Sequence, residues 1–240
     1  MILAVLSRFF VDLLWFDTLG FKAVFTTVWL TMIAVFVIAA VLSSTILLIN
    51  GLIAARATSA SARGQRGFRV VGRNAQGLPE VIEFSLDKIP WRLIIPAVAL
   101  LVGLFIGFAQ TGNWDTILKW LYAAPFGRLD PLFGHDLGFY IFSLPVYELL
   151  RDWGTLIIFW SAVLALSIYW LRGDIIYQQP GFPTLSSAAI RHLSSLLAAY
   201  LLLKAGGAIL DRYDLLTSNN GVVFGAAYTD VHLRLPLLMA

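Results

Sequence analysis

Three short segments concentrate the residues suited to chemistry. Asp130, His135 and Asp136 stand in DPLFGHDLGFYIFSLP (130–145), Asp211, Arg212 and Asp214 in LDRYDLL, and Asp230 and His232 in YTDVH. Imidazole and carboxylate are ligands for a divalent cation, and paired carboxylates can divide acid and base roles between them. The spacing fits neither HExxH nor DxDxDG. The competing reading is a solvated polar rim, because aspartate before proline and beside glycine is ordinary turn chemistry. A fourth candidate is Lys204, which shares a helical face with Tyr200 and Asp211. An ionisable group inside an apolar run costs at least ~2.5 kcal/mol at a bilayer centre and by default marks a pathway. Asp211 follows only seven residues later, so the lysine stem can instead snorkel to the interface or reach that acid through water or a neighbouring helix. His192, beside Arg191, reads as a headgroup contact.

The elements that must position these residues are apolar helices. The chain is 59% hydrophobic and 13% charged, with a mean hydropathy of +0.82, whereas soluble domains run near a quarter charged. Ala23–Ala55, Leu93–Trp114 and Trp153–Leu171 carry no charge, and Leu193–Leu210 carries only Lys204. Each exceeds or approaches the ~20 residues needed to cross a hydrocarbon core as a helix, and such unbroken runs exclude a barrel of alternating strands. The expected fold is all-α, a polytopic helical membrane bundle with spans at about 24–50, 92–110, 153–171 and 189–210. A partial or interfacial helix precedes them, and LRLPLLMA looks like the start of a further span. Both ends look cut, so the expectation is a piece of a longer polypeptide.

Charge placement gives sidedness. Of 17 Lys and Arg, Arg56, Arg63, Arg66, Arg69, Arg73, Lys88 and Arg92 lie in or flank one connection, so the loop at 56–90 is expected in the cytoplasm and 111–152 outside. The partners implied are the lipid bilayer and anionic headgroups at the basic loop; the location of the charge argues against nucleic acid. Within that loop, the β-prone runs around Asn74–Gly77 suit a hairpin. Outside, NWDTILKWLY forms an interfacial helix with Asn113 as its cap. Gly103 and Gly107, one turn apart, allow close helix packing or a helix–helix oligomer. The chain has no cysteine, which removes disulfides and thiolate chemistry, and it shows no phosphate loop, GxSxG elbow or dinucleotide glycine pattern. Nothing in it names a cofactor.

Five phrases in order, DLLWFDTLGFKAVF (12–25), DPLFGHDLGFYIFSLPVYELL (130–150), IRHL (190–193), LLKAGGAILDRYDLLTS (202–218) and GVVFGAAYTDVHLRLP (221–236), resemble the bacterial membrane proteins of uncharacterised protein family 0182. The resemblance implies about seven N-terminal spans followed by a long extracytoplasmic region, in the plasma membrane of a prokaryotic cell. It brings no catalytic residue to any position. The function expected is a structural or envelope-associated membrane anchor rather than an enzyme. The alternatives are a transporter or channel with Lys204 in its pathway, and a membrane enzyme using Asp130, His135, Asp136, Asp230 and His232.

Overall fold

The computed structural model describes residues 2–57, 67–73, 79–85, 90–172, 174–176, 184–216 and 225–239. The fold is all-α, with two small antiparallel ribbons in its connections. Helices α1 (Ile2–Thr18), α2 (Lys22–Ala57), α3 (Trp91–Gln110), α4 (Trp114–Leu121), α5 (Leu144–Leu171), α6 (Ser187–Asp214) and α7 (Leu235–Met239) follow one another. Strands β1 (Gly67–Arg73) and β2 (Pro79–Ser85) pair between α2 and α3, and β3 (Ile175–Ile176) and β4 (Thr184–Leu185) between α5 and α6. Among the described residues four helical stretches, Lys22–Ala57, Trp91–Leu121, Phe139–Leu171 and Ser187–Asp214, are long and apolar enough to cross a membrane. The expected hairpin is present as β1–β2, while its turn at 74–78 and the arginine-rich stretch at 58–66 lie outside the described residues.

Two compact units divide the chain: residues 1–42 with 103–147, and 43–102 with 148–240. In the first, α1 folds back on α2 at Gly20, whose φ of +76° suits a residue without Cβ. The hairpin is closed by aromatic rings, Phe9 against Trp29 at 4.9 Å and Phe16 against Phe25 at 5.5 Å. Gly107 of α3 meets α2 directly: a Cβ there would lie 2.7 Å from Ala40 Cβ and 2.9 Å from the Phe36 carbonyl. This glycine therefore serves contact within the chain. Asn113 departs from the expectation. Its side chain makes no cap bond to α4 but donates to Gln110 Oε1 at 2.9 Å, because a single 3-10 turn at Thr111–Asn113 joins α3 directly to α4 and leaves no extended cap residue.

The second unit has its core in Ala54, Ile95, Ala165, Ile168, Tyr169 and Ala189. Small residues set the spacing. A Cβ on Gly51 would sit 2.7 Å from Ile95 Cγ2 and 3.1 Å from Leu164 Cδ2, so α2 admits α3 and α5 at a separation larger residues would forbid. Trp153 Nε1 donates to the buried Ser43 Oγ at 3.0 Å, tying α5 to α2. Large apolar side chains such as Leu101, Phe108 and Leu202 face outward, as expected where the surrounding solvent is lipid.

Helix α5 differs from its expected span in where it starts. Residues 139–152 are helical, beginning with a π-turn at Phe139–Ser143 that runs into Leu144 and Pro145. The same device recurs at Asp230–Arg234, which runs into Leu235 and Pro236. A proline inside a helix removes one N–H and crowds the carbonyl four residues back, here Ile141 and His232. Widening the preceding turn relieves that crowding, so both helices pass through a proline without breaking.

Candidate functional site

The loop between α4 and α5 is built around two carboxylates. Asp130 is buried; its Oδ1 accepts from the backbone N–H of Leu132 at 2.7 Å and Phe133 at 2.8 Å, and its Oδ2 from His135 N–H at 3.0 Å and Tyr140 hydroxyl at 2.8 Å. Four donors fill the roughly four lone-pair positions of a carboxylate. Asp136 accepts from Phe126 and Gly138 N–H with Oδ1 and from Gly127 N–H with Oδ2. Gly134, with φ +70°, closes the tight turn by donating to the Asp130 carbonyl at 3.1 Å. His135 stacks on Phe139 at 4.7 Å. The sequence-predicted trio is thus brought together, and its acids organise backbone.

Electrostatics follow from that geometry. Burial works to raise the Asp130 carboxyl, but the donors Phe133 N–H, Tyr140 hydroxyl, Leu132 N–H and His135 N–H outweigh it and hold the group below its ordinary value of 3.8. Asp136 is held low chiefly by the Phe126 and Gly138 amides. Carboxylates with depressed values stabilise the fold above the ordinary value and lose that contribution as pH falls from there through the lowered one.

In the second unit, Asp230 accepts from Ala227 N–H at 3.0 Å and from Arg234 Nη1 at 3.2 Å. His232 Nδ1 lies 3.0 Å from the Tyr228 carbonyl and so carries the proton there, with its ring stacked on Tyr228 at 3.9 Å. Lys204 Nζ lies over the Tyr200 ring, 5.6 Å from its centroid. Asp211 accepts from Arg151 Nη1 at 2.9 Å, and Arg151 Nε also donates to Asp152 at 2.9 Å. Gly207 makes room for that arginine, since a Cβ would come within 2.9 Å of Arg151 Cδ. The Glu148 and Asp214 carboxyls hydrogen-bond to each other beside it. Of the expected face, Tyr200 and Lys204 meet, while Asp211 turns to α5. Among the described residues no three His, Asp or Glu side chains are placed to hold a metal ion.

Sequence reasoning missed His192. It is buried rather than at a headgroup, with Nδ1 3.0 Å from Tyr169 hydroxyl and Nε2 3.2 Å from Asn50 Oδ1. Asn50 Nδ2 already donates to the Ile46 carbonyl at 2.8 Å, which fixes Oδ1 as an acceptor. The neutral imidazole then donates from Nε2 and accepts the tyrosine proton at Nδ1. One hydrogen-bond chain therefore links α2, α5 and α6, set up by Ser186, whose hydroxyl caps α6 at Ala189 N–H. The available signal was Asn50, an amide inside the charge-free run Ala23–Ala55.

Two outcomes test these networks. Asp130→Asn should destabilise the protein by about 2–3 kcal/mol, the order expected when buried donors lose their acceptor, and should lower the protection of amides 126–138 against hydrogen exchange, taken relative to the intrinsic rate; in the parent protein, protection of the same amides should fall as pH drops below the ordinary carboxylate value of 3.8. Unchanged protection in both experiments would refute the carboxylate-centred loop. For the second network, a double-mutant cycle of Tyr169→Phe and His192→Phe, read by unfolding in micelles, should give a coupling of ~1 kcal/mol, within the range for hydrogen bonds between membrane helices.

Known proteins place this arrangement in a lineage. The chain is 38% identical to a UPF0182 protein of Bradyrhizobium diazoefficiens, covering 99% of this chain and 26% of that protein. It is 41% identical to one of Cupriavidus necator (95% and 24%) and 33% identical to one of Trichodesmium erythraeum (96% and 24%). The chain thus spans about a quarter of the length of these relatives. No solved structure matches. With its residues 1–240 matched throughout by the family's model, the chain belongs to the Uncharacterised protein family (UPF0182).

Proposed function

We propose that the chain is a multi-pass anchor in the prokaryotic plasma membrane that holds and organises an extracytoplasmic part of a longer polypeptide, in a structural role at the cell envelope. The observation that carries this reading is the use of the acids in the loop between α4 and α5. Asp130 and Asp136 each collect three backbone N–H groups, which makes a fixed platform at the end of the spans rather than a ligand cradle. The outward-facing leucines and phenylalanines of the spans support a lipid setting. In this orientation residues 56–90 face the cytoplasm and 111–152 the outside, as the positive-inside rule requires.

Transport is the second reading, favoured by the polar cluster of Glu148, Arg151, Asp211 and Asp214 that joins α5 to α6. One measurement tests the orientation and a second separates these readings. With the cysteine-free chain as background, Ser61→Cys should be shielded from an impermeant reagent applied outside intact cells, and Arg128→Cys should react; the reverse pattern would overturn the orientation. In proteoliposomes the anchor reading expects no solute or ion flux that depends on Lys204. A flux abolished by Lys204→Ala, with the variant still folded, would replace the anchor with a transporter.

A further inference from the structure

A groove in the second unit is independent of the loop and of both readings above. Trp91, Ile94, Ile95, Val98, Ala99 and Val102 of α3 face Trp160, Val163, Leu164, Ser167, Ile168 and Leu171 of α5 across a cavity of about 280 Å³, with Leu47 of α2 as its floor. Each helix contributes a stripe at the i, i+3, i+4, i+7 spacing of a single face, twelve residues and eleven helical rises from first to last. At 1.5 Å per residue the groove is about 16 Å long. That is half of a hydrocarbon core of roughly 30 Å, the depth of one leaflet.

Positive charge gathers at one end of the groove. At the end marked by Trp91 and Leu171, the Arg172 guanidinium lies over the Trp91 ring at 5.7 Å and donates to the Ala55 carbonyl. Arg92 follows Trp91 and is exposed, and the exposed Arg56 and Arg191 lie at the adjoining ends of α2 and α6. Asp174, buried next to Tyr169, stands against these four. The lining itself carries one hydroxyl, Ser167, which bonds to the Val163 carbonyl at 2.8 Å. An occupant matching this surface has an apolar tail one leaflet long and an anionic head.

We propose that the groove is a binding site for an anionic phospholipid, with one acyl chain between α3 and α5 and the phosphate held at Arg92 and Arg172. Bilayer lipid of any class wets an apolar helix face; a site that combines a one-chain groove with arginines at a single end selects by headgroup. A juxtamembrane arginine near an anionic surface favours it by about fivefold.

Native mass spectrometry of the full chain, extracted in mild detergent and equilibrated with equimolar phosphatidylglycerol and phosphatidylethanolamine, tests the site. One phosphatidylglycerol per chain should be retained in preference, and Arg92→Gln should lower that preference about fivefold. Val98→Trp with Ser167→Phe, both at exposed lining positions, should fill the groove and abolish retention while circular dichroism stays helical. Arg172→Gln provides a second headgroup variant, and Arg92, exposed on the first turn of α3, tests the same contact without touching the Ala55 carbonyl. Equal retention of the two lipids, no retained lipid, or retention unchanged in the filled variant would overturn the proposal.

Discussion

Inside a hydrocarbon layer no water satisfies a polar group, so every N–H, carbonyl and polar side chain at depth must find its partner within the protein. The hydrogen-bond chain Asn50–His192–Tyr169 is the sharpest instance of this constraint here. Each member has its direction dictated by the next: the Ile46 carbonyl orients the amide, the amide oxygen takes the imidazole proton, and the imidazole accepts from the phenol. An aliphatic pair would pack three helices in many nearly equivalent registers. A directed chain with one satisfied arrangement selects one register, the role best attested for buried polar groups. Three of the core residues around it are small, Ala54, Ala165 and Ala189, which lets the helices approach closely.

The general need of backbone amides for an acceptor explains how the helix ends are finished. Asp130 and Asp136 gather amides that the turn leaves without carbonyl partners, and Ser186 does so for the first turn of α6. Where a proline would strip a helix of an internal bond, the chain inserts a wide turn, once before Pro145 and again before Pro236. In both places the carboxylate near the wide turn, Asp136 or Asp230, also accepts from backbone. Acid, wide turn and Leu-Pro form a repeated unit that starts a helix.

The four spans were legible because apolar run length is a one-dimensional property, and the helices contain each of the runs that announced them. The start of α5 was not: Pro145 and the glycines of 134 and 138 read locally as loop, and only the wide turn reconciles them with a helix. Candidate residues divide by the range of their partners. Asp130, His135 and Asp136 cluster because they are neighbours in sequence, so their grouping was readable. The role of Asp211 depended on Arg151, 60 positions away, and that of His192 on Asn50, 142 positions away. Nothing in the phrase IRHL carries that distance, and its position beside Arg191 pointed to the headgroups instead.

Charge in the second unit is distributed by helix end. Arg56, Arg92, Arg172 and Arg191 mark the termini of four helices at one end, whereas Glu148, Asp152, Asp211 and Asp214 surround Arg151 at the other. Arginine at the C-terminal ends of α2 and α5 also meets the negative pole of each helix. The helix ends of the second unit therefore add a polarity of their own to that of the basic loop. Anionic lipid on the cytoplasmic leaflet would stabilise the arginine end at about 1 kcal/mol per residue near the surface, while the acidic end would be repelled by the same surface. Exchanging Arg56 and Arg92 for glutamine weakens one pole without altering any apolar run, and it leaves the acids around Arg151 in place. Under the sidedness rule a bias toward one orientation follows from the difference between the two ends, so removing two of the arginines would weaken that bias.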